Sequence, residues 1–271
     1  MTKVSLGSQD LVAETLLIPL YARAMEAQRP DAMLRDERAA AMVGQIDYDF
    51  SQIKLRGHDQ ATIIMRERHF DQRVRDFLAR CPDGVVVHIG CGLDTRFERV
   101  DNGRVEWYDL DLPEVMELRR KLIGEAPRSH ALACSVFDTA WLDTVSVHGG
   151  RPFLFVAEAV LPYFEEAQVK ELVVRLKERF AGAELVCDAM TPPMVRMLNW
   201  ELAISLAKVK ARLHWGLSDP QDMEGWSAGI RLVDKWYYFD RPEPRLGPSQ
   251  LMRYIPPLAN TVYVLRYRLS S

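Results

Sequence analysis

Residues 82–114 read PDGVVVHIGCGLDTRFERVDNGRVEWYDLDLPE, and the rest of the chain is best read outward from them. An apolar run, Val85 to Ile89 with His88 inside it, stops at the turn Gly90-Cys91-Gly92. A second short run (Val105, Trp107, Tyr108) stops at Asp109-Leu110-Asp111. A strand, a turn in which glycine permits close backbone approach, and an acid about 20 positions later describe a site for an adenosine-containing cofactor at the carboxyl edge of a parallel sheet. The glycines let backbone N–H groups meet the ligand, and the acid accepts hydrogen bonds from ribose hydroxyls.

The third glycine of the dinucleotide fingerprint would fall at Thr95, which favours a nucleoside without a pyrophosphate. The sequence also lacks a Tyr-x-x-x-Lys pair, so a nicotinamide oxidoreductase is the weaker alternative. HIGCGLDTRFERV followed by WYDLDLPEVMELRRKL closely resembles the leucine carboxyl methyltransferase / TcmP-like family of S-adenosylmethionine-dependent O-methyltransferases. The resemblance runs from about Leu16 to Tyr238. It implies a class I, Rossmann-like methyltransferase fold with S-adenosylmethionine as cofactor.

On that resemblance, an arginine in the helix before the first strand holds the cofactor carboxylate; the match is Arg66, with Arg68 second. A bidentate guanidinium–carboxylate pair suits that task. Gly90, Cys91 and Gly92 face the cofactor, and either Asp109 or Asp111 takes the ribose, with the resemblance favouring Asp111 and its neighbour Leu112. Ser135, Val136 and Asp138 match the adenine end, although Asp138 could instead cap the short helix that follows it. Glu158 and Tyr163 are candidates for the donor and acceptor pocket, and Tyr21, Met194 and Trp200 for the substrate pocket. The family pattern has glycine and methionine where this chain has Ala159 and Pro162, a departure at the meeting point of donor and acceptor.

The remaining readings come from the residues. With 271 residues and 48% hydrophobic content, the chain can bury one sizeable core with additions. A net charge of −3 argues against an electrostatic nucleic-acid partner. Cys81, Cys91, Cys134 and Cys187 lack CxxC spacing and read as reduced thiols of a cytoplasmic protein. No secretory leader or membrane segment is expected, since the apolar piece 15–21 is short and carries Pro19.

In chain order, helices are expected from Asp10 to about Gln28 and from about Arg38 to Ile46, then an aperiodic loop or flap over 46–56. The most regular helix covers His58 to Cys81, with Phe70, Val74, Phe77 and Leu78 on one face and Arg66, Asp71 and Arg75 largely off it. Asp94 and Arg96 are expected to pair or to cap backbone groups. Strands are expected at 85–89, 104–109, 129–134, 153–157 and 183–188, alternating with helices, which argues for a doubly wound α/β fold. Two late strands, 230–239 and 260–269, alternate with period 2 and suit an antiparallel end to a mostly parallel sheet.

This divides the chain into an N-terminal helical cap or lid over 1–81 and a methyltransferase domain over 82–271 with a helical insertion at about 190–228. The Met-rich stretch 191–213 reads as a core helix or as a lid. The expected reaction is O-methylation of a small, rather apolar hydroxyl or carboxylate acceptor. The alternatives are a protein C-terminal carboxylate as acceptor, or a cofactor-binding protein without catalysis. A carboxylate acceptor needs no general base, whereas a phenol benefits from one. His58, His69 and His214 sit in unrelated contexts and give no catalytic assignment. No metal-ligand spacing is present, and the sequence assigns no oligomeric state.

Overall fold

Val85–Ile89 (β1) is buried at all five positions because strands pair with it on both sides: Val87 lies opposite Tyr108 of β2 (Glu106–Asp111) and Phe155 of β4 (Phe153–Ala157), both parallel. The computed structural model describes residues 3–5, 10–124, 126–205 and 212–271. With β3 (Ser129–Ala133), β5 (Ala183–Met190), β6 (Ile230–Tyr237) and β7 (Val262–Leu269), the described residues form a seven-stranded sheet ordered 3-2-1-4-5-7-6. Only β7 runs against the others, slotting antiparallel between β5 and β6. The order reverses at β1, so the crevice between the carboxyl ends of β1 and β4 is the topological switch point where such sheets bind ligands.

The helices are α1 (Asp10–Ala27), α2 (Glu37–Gln45), α3 (Gly57–Arg80), α4 (Arg96–Val100), α5 (Pro113–Leu122), α6 (Ala140–Ser146), α7 (Glu166–Arg179), α8 (Pro192–Ser205) and α9 (Pro256–Ala259). Side chains along β1 alternate between two cores, as a strand requires. Val85, Val87 and Ile89 pack with Trp141 and Val145 of α6 and Leu172 and Leu176 of α7. On the other face Val86 packs with Phe70, Val74 and Phe77 of α3 and Phe97 of α4. A third cluster joins Leu17 and Leu20 of α1 to Met42 of α2, Phe50 and Leu93.

The apolar face of α3 is one wall of the sheet's core. Some expectations change. Asp71, placed off that face by helical periodicity, is fully buried because Arg96 and Arg99 meet it there. Strand β2 begins later and ends later than 104–109: the Asn102 carboxamide accepts N–H bonds from Arg104 and Val105, holding a turn, while pairing with β3 continues to Asp111. The flap region contains a 3-10 turn at Phe50–Gln52 whose Phe50 is buried against Tyr21 and Tyr48. Of the stretch 191–213, α8 accounts for the first part, and 206–211 lie outside the described residues. Among the described residues no helix is long and apolar enough to cross a membrane.

Phe70 is fully buried, with the Arg96 guanidinium 5.5 Å from its ring centroid. Phe70→Ala is expected to lower unfolding stability by ~3–5 kcal/mol, read as a shift of the urea midpoint. A shift below ~1 kcal/mol would remove α3 from the core described here.

Candidate cofactor and acceptor site

The turn after β1 is built on glycine for steric reasons. Gly90 and Gly92 have φ of +62° and +51°, a left-handed backbone that side chains disfavour. A Cβ on Gly90 would stand 2.2 Å from Val160 Cγ2, and one on Gly92 2.9 Å from Leu16 Cδ2. The Gly90 N–H donates to Leu110 O at 2.7 Å, tying the turn to the end of β2. Asp111 completes the tie: Oδ2 accepts from the Gly92 N–H and Oδ1 from the Leu112 N–H, each at 2.8 Å. Each oxygen keeps a lone pair for a further donor.

Asp109 is differently employed. It accepts from Trp107 Nε1 at 2.8 Å and from Arg119 Nη2 at 2.6 Å, and it is 4% exposed. Burial alone would raise its carboxyl, but Arg119, His88 and Trp107 bring it down to about 2. Its acceptor capacity serves the protein interior.

Beneath the turn lies a buried ionic layer. Arg96 is fully buried and reaches Asp71 at 2.8 Å, Glu67 at 3.1 Å, Asp94 at 3.1 Å and Glu158 at 2.5 Å. Arg23 binds Asp36 at 2.9 Å and Glu67 at 2.5 Å, and Arg99 binds Asp71 at 2.8 Å and Asp94 at 2.9 Å. Arg66 donates to Glu158 Oε1 at 2.7 Å and lies 3.6 Å from Asp188. Oxygens of Glu67, Asp94 and Glu158 come within 4.8 Å of one another, a spacing that could suit a cation, but Arg96 already bridges all three. Burial, with Asp94 and Glu158 adding to it, pushes the Glu67 carboxyl up; Asp94 goes down because Arg96 and Arg99 outweigh its burial.

A cavity of about 400 Å³ opens above this layer, within the roughly 300–1,000 Å³ typical of small-molecule sites. Its lining combines the ionic side chains of Arg66, Glu67, Asp94, Glu158 and Asp188 with the apolar Leu16, Ile18 and Pro19 of α1, Ile63 of α3 and Leu198 of α8. Of the candidates from sequence, Arg66, Gly90, Cys91, Gly92, Glu158 and Tyr163 line it. Asp111 reaches it through its bond to Gly92. Leu112 is the half-exposed N-cap residue of α5.

Ser135, Val136 and Asp138 form the loop after β3, closed by the Ser135 N–H on Asp138 Oδ2 at 3.0 Å; none lines the cavity. The N-cap of α6 is Thr139, not Asp138. Three substrate-pocket candidates fall elsewhere. Tyr21 packs on Phe50 with ring centroids 5.3 Å apart, Met194 is half-buried on α8, and Trp200 is 68% exposed.

Sequence reasoning missed Asp188 and Glu67. A signal existed for Asp188, the one acid near the carboxyl end of a strand otherwise read as apolar core.

The leucine carboxyl methyltransferase family matches residues 17–177 of the chain. The chain belongs to this family. Its members' cofactor is S-adenosylmethionine, and the protein is an S-adenosylmethionine-dependent methyltransferase. It is 36% identical over 265 residues to the tetracenomycin polyketide synthesis O-methyltransferase TcmP of Streptomyces glaucescens, covering 94% of this chain and 96% of that one. It is 29% identical to the S-adenosyl-L-methionine-dependent methyltransferase dpfgK of Gibberella zeae, covering 83% and 81%. In fold it resembles a chain from Thermobifida fusca YX (18% identity, TM-score 0.57, covering 92% and 94%). It also resembles the N-methyltransferase NodS of Bradyrhizobium japonicum WM9, solved with S-adenosyl-L-homocysteine (11% identity, TM-score 0.50, covering 94% and 100%).

The methyltransferase's residues fit such a cofactor. Gly90 and Gly92 line the cavity with a left-handed backbone and no side chain, and the Asp111 carboxylate stands at the turn. Arg66 and Glu158 offer one cation and one anion side by side for an amino-acid end.

Burial, reinforced by Glu158 and opposed by Arg66 and the Ala159 N–H, pushes Asp188 up from 3.8 to about 6. The folded protein therefore holds this proton more tightly than the unfolded chain. The resulting stability is complete below about pH 4 and is lost as pH rises through about 6, a change of at most ~3 kcal/mol at 1.36 kcal/mol per unit. Asp188→Asn is expected to lessen that decline in denaturation midpoints measured between pH 4 and 7. An undiminished decline would contradict this origin for it.

Proposed function

We propose that the protein transfers the methyl group of S-adenosylmethionine to an oxygen of a small, largely apolar acceptor. The observation that carries this reading is the mixed lining of the cavity at the switch point, ionic residues together with apolar ones from α1, α3 and α8. When bound, the cofactor supplies an electrophilic methyl group on a sulfonium.

The chain's residues account for its binding by parts. Arg66 would take the carboxylate and Glu158 the ammonium of the amino-acid end; Gly90 and Gly92 would border the middle. Asp111 would accept from the ribose hydroxyls, and Ser135, Val136 and Asp138 would border the adenine. Six carboxylates (Asp36, Glu67, Asp71, Asp94, Glu158, Asp188) share four arginines (Arg23, Arg66, Arg96, Arg99) in the layer below. With the raised Glu67 carboxyl protonated and the other five ionised, that is a charge of −5 + 4 = −1, which favours a cationic ligand over its neutral demethylated product.

On the acceptor side, Leu16, Ile18, Pro19 and Leu198 exclude water from the acceptor oxygen, and such desolvation and positioning supply much of the catalysis in an in-line displacement. The apolar α1 residues in the cavity lining support a small molecule over a protein chain terminus as acceptor. The name of the Streptomyces relative, an O-methyltransferase of polyketide synthesis, supports the same class. Ala159 and Pro162 line the cavity where the family pattern has other residues, so acceptor identity is a matter for this chain's own pocket.

Calorimetry with S-adenosylhomocysteine should give micromolar affinity and no response to NAD(P). Arg66→Ala and Asp111→Ala should each weaken that binding at least tenfold, and unchanged affinity in both would refute the site map. For the acceptor, labelled methyl transfer should favour aromatic hydroxyl or carboxylic acid compounds over peptide termini. Transfer to peptide termini alone would replace this reading with protein carboxyl methylation.

A further inference from the structure

Asp188, at the carboxyl end of β5, touches the cavity but was assigned no part above. Its Oδ1 accepts the Ala159 N–H at 2.8 Å, and its Oδ2 is 3.6 Å from Arg66 Nη1, too far for a hydrogen bond. Charged and titratable groups face it from four elements: Arg66 on α3, Glu158 after β4, Tyr163 in the 3-10 turn Leu161–Tyr163, and Tyr238 beyond β6. Ala159 has a φ of +55°, a left-handed backbone found in one other non-glycine among the described residues, Arg128. An alanine holds that conformation when its surroundings impose it.

Both neighbours of Ala159 depend on the same turn. Glu158 puts Oε1 on Arg66 at 2.7 Å and Oε2 on Arg96 at 2.5 Å. Val160 fills the space beside Gly90 so closely that a Cβ there would stand 2.2 Å from its Cγ2. One carboxylate on β5 thereby ties down the turn after β4, and that turn packs against the glycine turn after β1.

We propose that Asp188 is a positioning residue for methyl transfer: by accepting the Ala159 N–H it holds the left-handed turn that seats Glu158 between Arg66 and Arg96 and Val160 against Gly90. The proposal rests on the reading of the cavity as the cofactor site. Its effect falls on the amino-acid end of the cofactor, and through it on the line between methyl group and acceptor.

Three variants test it by calorimetry with S-adenosylhomocysteine and by kcat and KM for methyl transfer. Asp188→Ala removes the acceptor and should weaken binding at least tenfold, with kcat falling more than KM for the acceptor rises. Adding Ala159→Gly to Asp188→Ala should return affinity to within about threefold of wild type, because glycine adopts the left-handed turn without help. Asp188→Asn keeps an oxygen at Oδ1 and should stay within the same margin.

Wild-type affinity in Asp188→Ala overturns the proposal. So does failure of both the glycine and the asparagine variants to restore binding, which would make the carboxylate only a counter-charge for Arg66. Should Asp188→Ala not fold, recovery of a folded, binding-competent protein on adding Ala159→Gly supports the proposal, and its absence overturns it. Loss of binding in Arg66→Ala with an unaffected Asp188→Ala leaves the cofactor site standing and removes Asp188 alone. A wild-type protein that fails to bind S-adenosylhomocysteine removes the site and this role together.

Discussion

Arg96 brings a full positive charge into the interior with no exposed surface, and the carboxyl edge of the sheet is arranged around that guanidinium. Removing such a charge from water costs several kcal/mol unless partners surround it. Four carboxylates do so here, drawn from α3 (Glu67, Asp71), from the glycine-turn segment (Asp94) and from the end of β4 (Glu158). The partners come from three separate parts of the chain, so the ion layer fixes the helix, the glycine turn and the β4 turn relative to one another. The ring of Phe70 beneath the guanidinium continues the same column into the core.

Much of this was legible in the sequence because it is local. Five apolar residues followed by two glycines specify a buried strand and the turn that ends it, and β1 spans the expected residues. The period of α3 and the alternation of strands with helices carry the fold class. The pairing of Asp94 with Arg96 was also readable, since the two sit on one turn.

What was not legible is tertiary. A helical wheel sees Glu67 and Asp71 as polar and assigns them to solvent; only the arrival of Arg23, Arg96 and Arg99 from elsewhere in the chain makes burial tolerable. Asp109 and Asp111 look equivalent in the string DLD. They differ because Arg119, one helix later, turns back to claim the first, while the second is left at the glycine turn. Tyr21 and Trp200 look like pocket residues by type, yet one packs against Phe50 and the other faces solvent. Which side chains of α1 and α8 line the cavity depends on how those helices pack, and residue type does not encode that.

The place of β7 in the sheet has a consequence of its own. It is paired along both sides, with Val264 opposite Asp188 on β5 and Trp236 on β6. The last strand in the sequence is thus an interior member of the sheet, and β6 joins the sheet only through it. Without β7, the sides of β5 and β6 that it now pairs would both lie open, each presenting unpaired N–H and C=O groups. The edge along β5 would run past Asp188 itself. Sheet integrity and the footing of the crevice beside Asp188 therefore both hang on the same eight residues, Val262–Leu269.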